Sequence, residues 1–559
     1  MKSNPHTTKP STGAFAMAMG AVQAGVGVVT GYPGAPVTPV VNHILDMTGP
    51  DFVHVEWTSN EKVAAEMAFG ASLGGRRSLL CVKSVGLNIA LDPLMAINLT
   101  GCKAGFVILL GDDPGGWGSQ NEQDSRTLGL AAELPLLEPT SVSEAQNAVK
   151  EAFDLSETFR LPVLVRVTRA LILAEELLDV PGKLAPATFP GRNGGFERHV
   201  VLPVDVVPFH ERLLDRLEKI RQRFEVSPFI NEEGNGPVGI LAAGSAYLKL
   251  QECLSDDFSH HIRVLRLGLI FPFPRERVTA FLKGVRSVLI LEENAPLVER
   301  TVRAVAQQAG VPLTVFGRET KHVSRAGELF PQNILPALRS LFPDLPLIER
   351  EKQSRPLPSR NPFCEGCPYV PVFAALMELT ARIGGREKVI VVGDPGCMVR
   401  GQLPPFDLLD VKTSLGSSVA IAAGIAKTLP FKRTPHGRAG EGTQVEKVVA
   451  LSGDSGFLHS GLNGLLDAAR LDINLLIIIL DNGTTALSGG QPHSGCPEDA
   501  RGQSRKKVDL GRLVREAGAG MVRVVETDDT GNIQEAIDKG MAHKGVSVVI
   551  TRGPCPKYS

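Results

Sequence analysis

Apolar positions along the chain recur with two periods. Short runs at 26–30, 52–55, 78–83, 106–110 and 161–168 have strand character, and the stretches at 14–25 and 61–73 carry small and apolar residues suited to packed helices. Strand-like runs resume at 238–243, 264–267 and 288–291. This alternation predicts an α/β protein with parallel sheets flanked by helices. In the last third, 448–451 is a short apolar run and 473–480 a longer Leu/Ile-rich one of the kind buried on both faces of a sheet. Leu458, Leu462, Leu465, Leu466 and Ala469 lie between them at helical spacing. The three segments form a βαβ unit, whose strands run parallel and end on the same side.

Polar residues at those strand ends carry the candidate chemistry. Gly453-Asp454-Ser455 follows the first strand and Asp481-Asn482 the second. Such sheets bind ligands in the crevice beyond their carboxyl ends, and oxygen ligands there suit Mg²⁺ bound together with phosphates. A plain βαβ unit with turn residues fits the same positions. Leu415-Gly416-Ser417-Ser418 heads another helix, and a helix amino terminus with small polar residues suits a diphosphate. Glu61 begins the helix at 61–73, a position that helix electrostatics alone favours. Gly31-Tyr32-Pro33-Gly34-Ala35-Pro36 is a strand-end loop whose backbone can approach a ligand closely. Lys83 and Arg126 are cations suited to a substrate carboxylate or, equally, to a salt bridge.

Composition narrows the class. Hydrophobic content of 43% and charged content of 21% are those of a globular protein, and 559 residues leave room for about three domains. A net charge of −1 without a long basic run gives no support for a nucleic-acid surface, and no nucleic-acid partner is expected. No apolar run is long enough for a transmembrane segment, and the polar opening MKSNPHTTKP is not an export signal, so a cytoplasmic location is expected. In that compartment the eight cysteines are candidate ligands, not disulfides. Cys364-Glu365-Gly366-Cys367 alone fits a redox dithiol, half a zinc site or a cluster ligand pair, while Cys397 and Cys555 each follow a predicted strand.

Two wider patterns resolve these options by resemblance. Gly453-Asp454, then 25 residues from 456 to 480, then Asp481-Asn482 resembles the diphosphate motif of thiamine diphosphate (ThDP) enzymes. The fuller wording GDSxFxHSG…LDNxTTAxSGxQPHxG is similar to the large (alpha) subunit of the indolepyruvate:ferredoxin oxidoreductase family, within the ThDP-dependent 2-oxoacid:ferredoxin oxidoreductases. The resemblance extends from about Thr12 to Cys555 through Asn60-Glu61-x-x-Ala64, Lys83-Ser84-Val85-Gly86-Leu87-Asn88, Ser119–126 and the Leu415–418 segment.

It implies a multidomain ThDP-enzyme architecture: a flexible tail at 1–11, a pyrimidine domain at 12–185, a transketolase C-terminal-like domain at 197–345, a linker at 346–362 and a diphosphate domain at 363–559. By the same resemblance Asp454, Asn482 and the Thr484 carbonyl hold Mg²⁺ on the ThDP diphosphate, with Gly453, Ser455, Gly416, Ser417 and Ser418 around it. Glu61 is the carboxylate that activates the pyrimidine. Cys364, Cys367, Cys397 and Cys555 hold a [4Fe-4S] cluster, the four-thiolate set such a cluster takes. His459 is either a proton carrier or a core histidine. The implied reaction is oxidative decarboxylation of an aryl 2-oxoacid, such as indolepyruvate or phenylpyruvate, to an acyl-CoA. Coenzyme A is co-substrate, and electrons leave for ferredoxin or a ferredoxin-like subunit. A small beta/gamma-type subunit and a homodimeric core are the expected partners.

The chain departs from the pattern in two places. Ala35 stands where the family loop carries a hydroxyl residue, with Thr38 nearby as a substitute, and no cysteine-rich ferredoxin-like extension follows Cys555. A non-redox ThDP decarboxylase or lyase would need Glu61, Asp454 and Asn482 but no cluster. A non-catalytic subunit of an electron-transfer complex would need none of them to react. The segment at 431–446 matches nothing in the family and reads as a surface insertion.

Overall fold

Along the strand Leu475–Asp481, Leu475, Ile477 and Ile479 enter one apolar core, while Leu476, Ile478 and Leu480 enter another. Neighbouring Lys447–Gly453 divides its residues the same way, Val448 and Ala450 against Val449 and Leu451. Side chains that alternate across a strand and are apolar on both sides require a sheet covered on both faces. That sheet is in the computed structural model, which describes residues 6–181, 198–348, 361–430, 432–433 and 443–558.

The chain forms two compact units, one of Met1–Glu56 and Glu61–Pro358, the other of Trp57–Asn60 and Ser359–Ser559. The second unit holds six parallel strands in the order Val411–Lys412, Val389–Gly393, Lys447–Gly453, Leu475–Asp481, Val546–Arg552, Met521–Glu526. From Val389–Gly393 the chain passes to the edge strand Val411–Lys412. From the adjacent Lys447–Gly453 it passes the opposite way, to Leu475–Asp481. The strand order therefore reverses between these two central strands, which is where open α/β sheets place their ligand crevice.

Besides a two-stranded ribbon, the described residues of the first unit form two larger sheets. One has the order Leu269–Phe271, Leu136–Leu137, Val163–Thr168, Phe106–Asp112, Ser78–Lys83, Val28–Gly31, His54–Trp57. The other has the order Thr314–Phe316, Ser287–Leu291, Val238–Ala243, Ile262–Leu267, Ile230–Glu233. Leu269–Phe271 comes from the segment expected to form a separate middle domain, yet it pairs antiparallel with Leu136–Leu137 in the first sheet.

The tail expected at 1–11 is partly ordered: His6–Thr12 pairs antiparallel with Glu175–Pro181, and Pro10 is tolerated because only one edge of this two-stranded ribbon needs its donors. The expected linker at 346–362 and the insertion at 431–446 fall largely outside the described residues. Among the described residues, no helix is long and apolar enough to cross a membrane.

Candidate functional site

At the reversal point of the six-stranded sheet, the residue after Lys447–Gly453 is Asp454, almost fully buried. Its Oδ1 accepts from the Ser455 N–H at 2.8 Å and its Oδ2 from the Gly483 N–H at 2.8 Å. Gly483 takes φ +70°, a left-handed backbone that suits glycine and turns the chain back onto Asp454. Asn482 and Thr484 flank it, both buried, and Asn482 Oδ1 accepts from the Thr484 N–H at 3.2 Å. The sheet thus brings Gly453, Asp454, Ser455, Asn482 and Thr484 together. Their donors are a carboxylate, an amide oxygen and a backbone carbonyl, the hard oxygen set of Mg²⁺.

Sequence reasoning did not pick out His493. Its Nε2 lies 3.1 Å from Asp454 Oδ2, and its Nδ1 accepts from the Gly495 N–H at 3.1 Å. Burial works against a charged imidazole, but Asp454 outweighs it and raises His493 to about 10. The Gly495 N–H nevertheless occupies Nδ1. Nε2 is the ring nitrogen left to face Asp454, within ion-pair distance but without hydrogen-bond geometry. Cys496, an ordinary thiol by sequence, donates to the Gly483 carbonyl at 3.1 Å and accepts from the His493 N–H at 3.3 Å. The signal that could have found His493 was its place in the Gln-Pro-His-x-Gly stretch that closes the same loop.

Asp394, after Val389–Gly393 on the other side of the crevice, was also missed. It is fully buried, with Oδ1 accepting from the Ser418 N–H at 2.8 Å and Oδ2 from the Ser452 hydroxyl at 2.5 Å. Burial pushes its carboxyl up to about 6 against these donors and the Gly416 N–H. An internal anion therefore occupies the amino terminus of helix Ser418–Ala426, the position expected to take the diphosphate through Ser418. Gly416 packs so closely on the turn at His459 that a Cβ would stand 2.3 Å from Ser460 Oγ and 2.6 Å from the Gly456 carbonyl. His459 is buried in a π-helical turn, Phe457–Gly461, with Nδ1 3.1 Å from Ser460 Oγ. Such turns inside α-helices concentrate at functional sites.

The four matched cysteines are also in this unit. Cys364 is exposed, Cys367 and Cys397 are half-buried and Cys555 is buried. Burial pushes the Cys397 thiol up to about 11, opposed by Arg400 and reinforced by Cys367, Cys555 and Cys364. Cys397 therefore feels the other three thiols, and Cys367 feels Cys364 and Cys555. Close packing joins two of these segments: a Cβ on Gly553 would stand 2.7 Å from Pro368 Cβ, which sets the Cys555 loop against the residue after Cys367. Arg400 Nη1 lies 3.8 Å from Cys364 Sγ. Among the described residues no group of three or more His, Cys, Asp or Glu side chains is placed to hold a metal ion.

In the first unit, Glu61 is the first residue of helix Glu61–Leu73 and is buried. Gly86 makes room for it, since a Cβ there would lie 2.7 Å from Glu61 Cγ and 2.8 Å from Oε1. Lys83 lies three residues upstream, at the end of Ser78–Lys83. Its stem crosses Gly34, where a Cβ would stand 2.7 Å from Lys83 Cδ. Glu61, Lys83 and the Gly31–Pro36 loop thus share one end of this sheet. Thr38 is there too, but it is buried, and its hydroxyl oxygen accepts from the Gly34 N–H at 2.8 Å, so it holds the loop.

Arg126 requires a correction. It is fully buried and donates to Asp124 at 2.6 Å, to the Glu293 carbonyl at 2.7 Å and to the Ala295 carbonyl at 2.9 Å, with Glu292 also 2.9 Å away. A guanidinium so deeply buried, with its Nη2 shared among these partners, is closed to a substrate. Arg166 beside it is equally committed, to Asp112 at 2.8 Å, Asn294 at 2.8 Å and Glu138.

Comparison with known proteins follows this division. Residues 19–180 match the family model "Pyruvate flavodoxin/ferredoxin oxidoreductase, thiamine diP-bdg", and residues 387–551 match "Thiamine pyrophosphate enzyme, C-terminal TPP binding domain". The chain is 32% identical over 540 residues to indolepyruvate oxidoreductase subunit IorA of Methanothermobacter thermautotrophicus, covering 96% of this chain and 85% of that one. It is 34% identical over 561 residues to the IorA subunit of Pyrococcus abyssi, covering 97% and 85%. A solved 2-oxoglutarate:ferredoxin oxidoreductase from Magnetococcus marinus aligns with a TM-score of 0.49 at 14% identity, over 60% of this chain and 65% of that one.

Proposed function

The chain belongs to the IorA family of indolepyruvate oxidoreductase subunits, and from that premise we propose that it catalyses the ThDP-dependent oxidative decarboxylation of an aryl 2-oxoacid to an acyl-CoA, with electrons leaving through a [4Fe-4S] cluster. The observation that carries this reading is the company Asp454 keeps. The buried Asp454 carboxylate and the Asn482 amide flank the Gly483 turn at the switch point of a parallel sheet, next to Thr484, and the four matched cysteines belong to the same unit.

Asp454, Asn482 and the Thr484 carbonyl would hold Mg²⁺ on the cofactor diphosphate, with His493 orienting the carboxylate. The donor set contains one carboxylate, which suits an ion whose remaining ligands are phosphate and water. Cys364, Cys367, Cys397 and Cys555 would hold the cluster. When bound, ThDP supplies a nucleophilic carbon and an electron sink. Glu61, in the space Gly86 leaves, holds and releases the proton of the pyrimidine ring. Lys83 binds the substrate carboxylate, and His459 carries a proton beside the Leu415–418 loop. Arg126 has no part in binding. A small oxidoreductase subunit, a ferredoxin-type acceptor and a homodimeric core complete the proposal.

Iron and sulfide analysis of anaerobically purified protein tests it. On the order of four irons per chain are expected. Cys367→Ser or Cys555→Ser should lose them, and Cys496→Ser should retain them. Iron-free protein with full 2-oxoacid turnover would sink the oxidoreductase reading.

A further inference from the structure

We propose that the first unit carries a second ligand site, for a small molecule bearing two or more phosphoryl groups, in a cationic cavity at the carboxyl end of helix Ser84–Thr100. The cavity, of about 480 Å³, is lined by Arg160, Arg198, Arg212, Arg216 and Lys219 against one carboxylate, Asp215. That size lies within the range of small-molecule sites.

Helix Val206–Phe224 accounts for the concentration of charge. Arg212, Arg216 and Lys219 follow one another at spacings of four and three residues and share one face. Like charges so placed oppose helix formation unless something neutralises them. Among the described residues, the salt bridges of this helix run through His210, Arg221 and Arg223, and none reaches Arg212, Arg216 or Lys219. Burial, with Arg212 and Arg160 close by, lowers the pKa of Arg216.

Arg216 has a structural duty. It donates to the carbonyls of Asn98 at 3.4 Å and Arg160 at 3.1 Å, at the ends of two helices. Capping of helix ends explains Arg216. It does not explain why Arg198, Arg212 and Lys219 gather around the same hollow. Guanidinium forks bind phosphoryl oxygens in pairs, and Arg212 stacks 4.2 Å from the Phe209 ring, adding a flat apolar wall. The site is remote from Glu61. Gly86 lies near one end of helix Ser84–Thr100 and Leu99, which lines the cavity, near the other, about 20 Å along the axis. The ligand is therefore distinct from a 2-oxoacid held beside Glu61.

Calorimetric titration of pyrophosphate into the full chain in EDTA tests it, with inorganic phosphate as a second arm. We expect saturable binding that Arg212→Glu/Lys219→Glu weakens at least tenfold, with phosphate weaker than pyrophosphate. Any diphosphate binding near Asp454 survives in that variant, so the wild type should show one more site than the variant. Should the charge reversal not fold, as judged by circular dichroism, Arg212→Gln/Lys219→Gln decides. Identical isotherms for wild type and the folded variant, or no additional site in the wild type, overturn the proposal.

Discussion

His493 Nε2 stands 3.1 Å from Asp454 Oδ2 with both side chains almost fully buried. The Gly495 N–H on Nδ1 leaves Nε2 facing the carboxylate, and this buried ion-pair contact limits the rotation of Asp454. His493→Leu should therefore weaken Mg²⁺-dependent ThDP binding by about ten- to a hundredfold, the usual effect of removing a partner that orients a metal ligand. Calorimetric titration of ThDP at fixed Mg²⁺ reads this directly. An unchanged affinity in a folded variant would show that Asp454 is held without His493.

Gly86→Ala places a methyl group where Glu61 Cγ and Oε1 now lie, at 2.7 and 2.8 Å. The carboxylate must move, and displacement of a catalytic group by about 1 Å costs on the order of a hundredfold in rate. The expected outcome is a fall in kcat of that order with KM for the 2-oxoacid little changed. Full activity would separate Glu61 from the chemistry.

Arg126→Ala should destabilise the first unit by about 3–5 kcal/mol, because it leaves Asp124 and Glu292 buried without their cation. Chemical denaturation measures the loss. A variant of near wild-type stability with a raised KM for substrate would restore the binding role that the structure denies it.

Glu293 is fully buried, and burial pushes its carboxyl up to about 7 while Arg318 pulls it down and Glu328 adds to the rise. Its ordinary unfolded value is about 4.3. The folded state thus holds this proton more tightly than the unfolded chain. The associated stability is present in full below about pH 4.3 and is lost as the pH rises through about 7. Glu293→Gln, which keeps an oxygen for the Leu329 N–H, should flatten that decline. Denaturation of wild type and variant between pH 4 and 8 compares the slopes, and parallel curves would count against the shift.

The strand ends were legible in sequence because a parallel βαβ unit allows its motif residues few positions: Gly453-Asp454 and Asp481-Asn482 had to share a crevice once both runs were read as strands. Glu61 was legible as a helix start. His493 and Asp394 were not, because their importance lies in partners far along the chain, Asp454 and Ser418 respectively. Arg126 stood open between a substrate and a salt bridge for the same reason. A lone arginine beside a polar loop looks available until Glu292, more than a hundred and sixty residues later, is folded against it. Packing partners that converge only in three dimensions leave no periodicity to read.

Leu269–Phe271 closes one edge of the sheet that also carries the Glu61 end of the molecule. Cutting the gene near residue 197 would therefore leave the upstream fragment with Leu136–Leu137 as an unpaired edge. Such an edge invites association with other chains. The two sequence regions are obliged to be inherited, and expressed, as one piece.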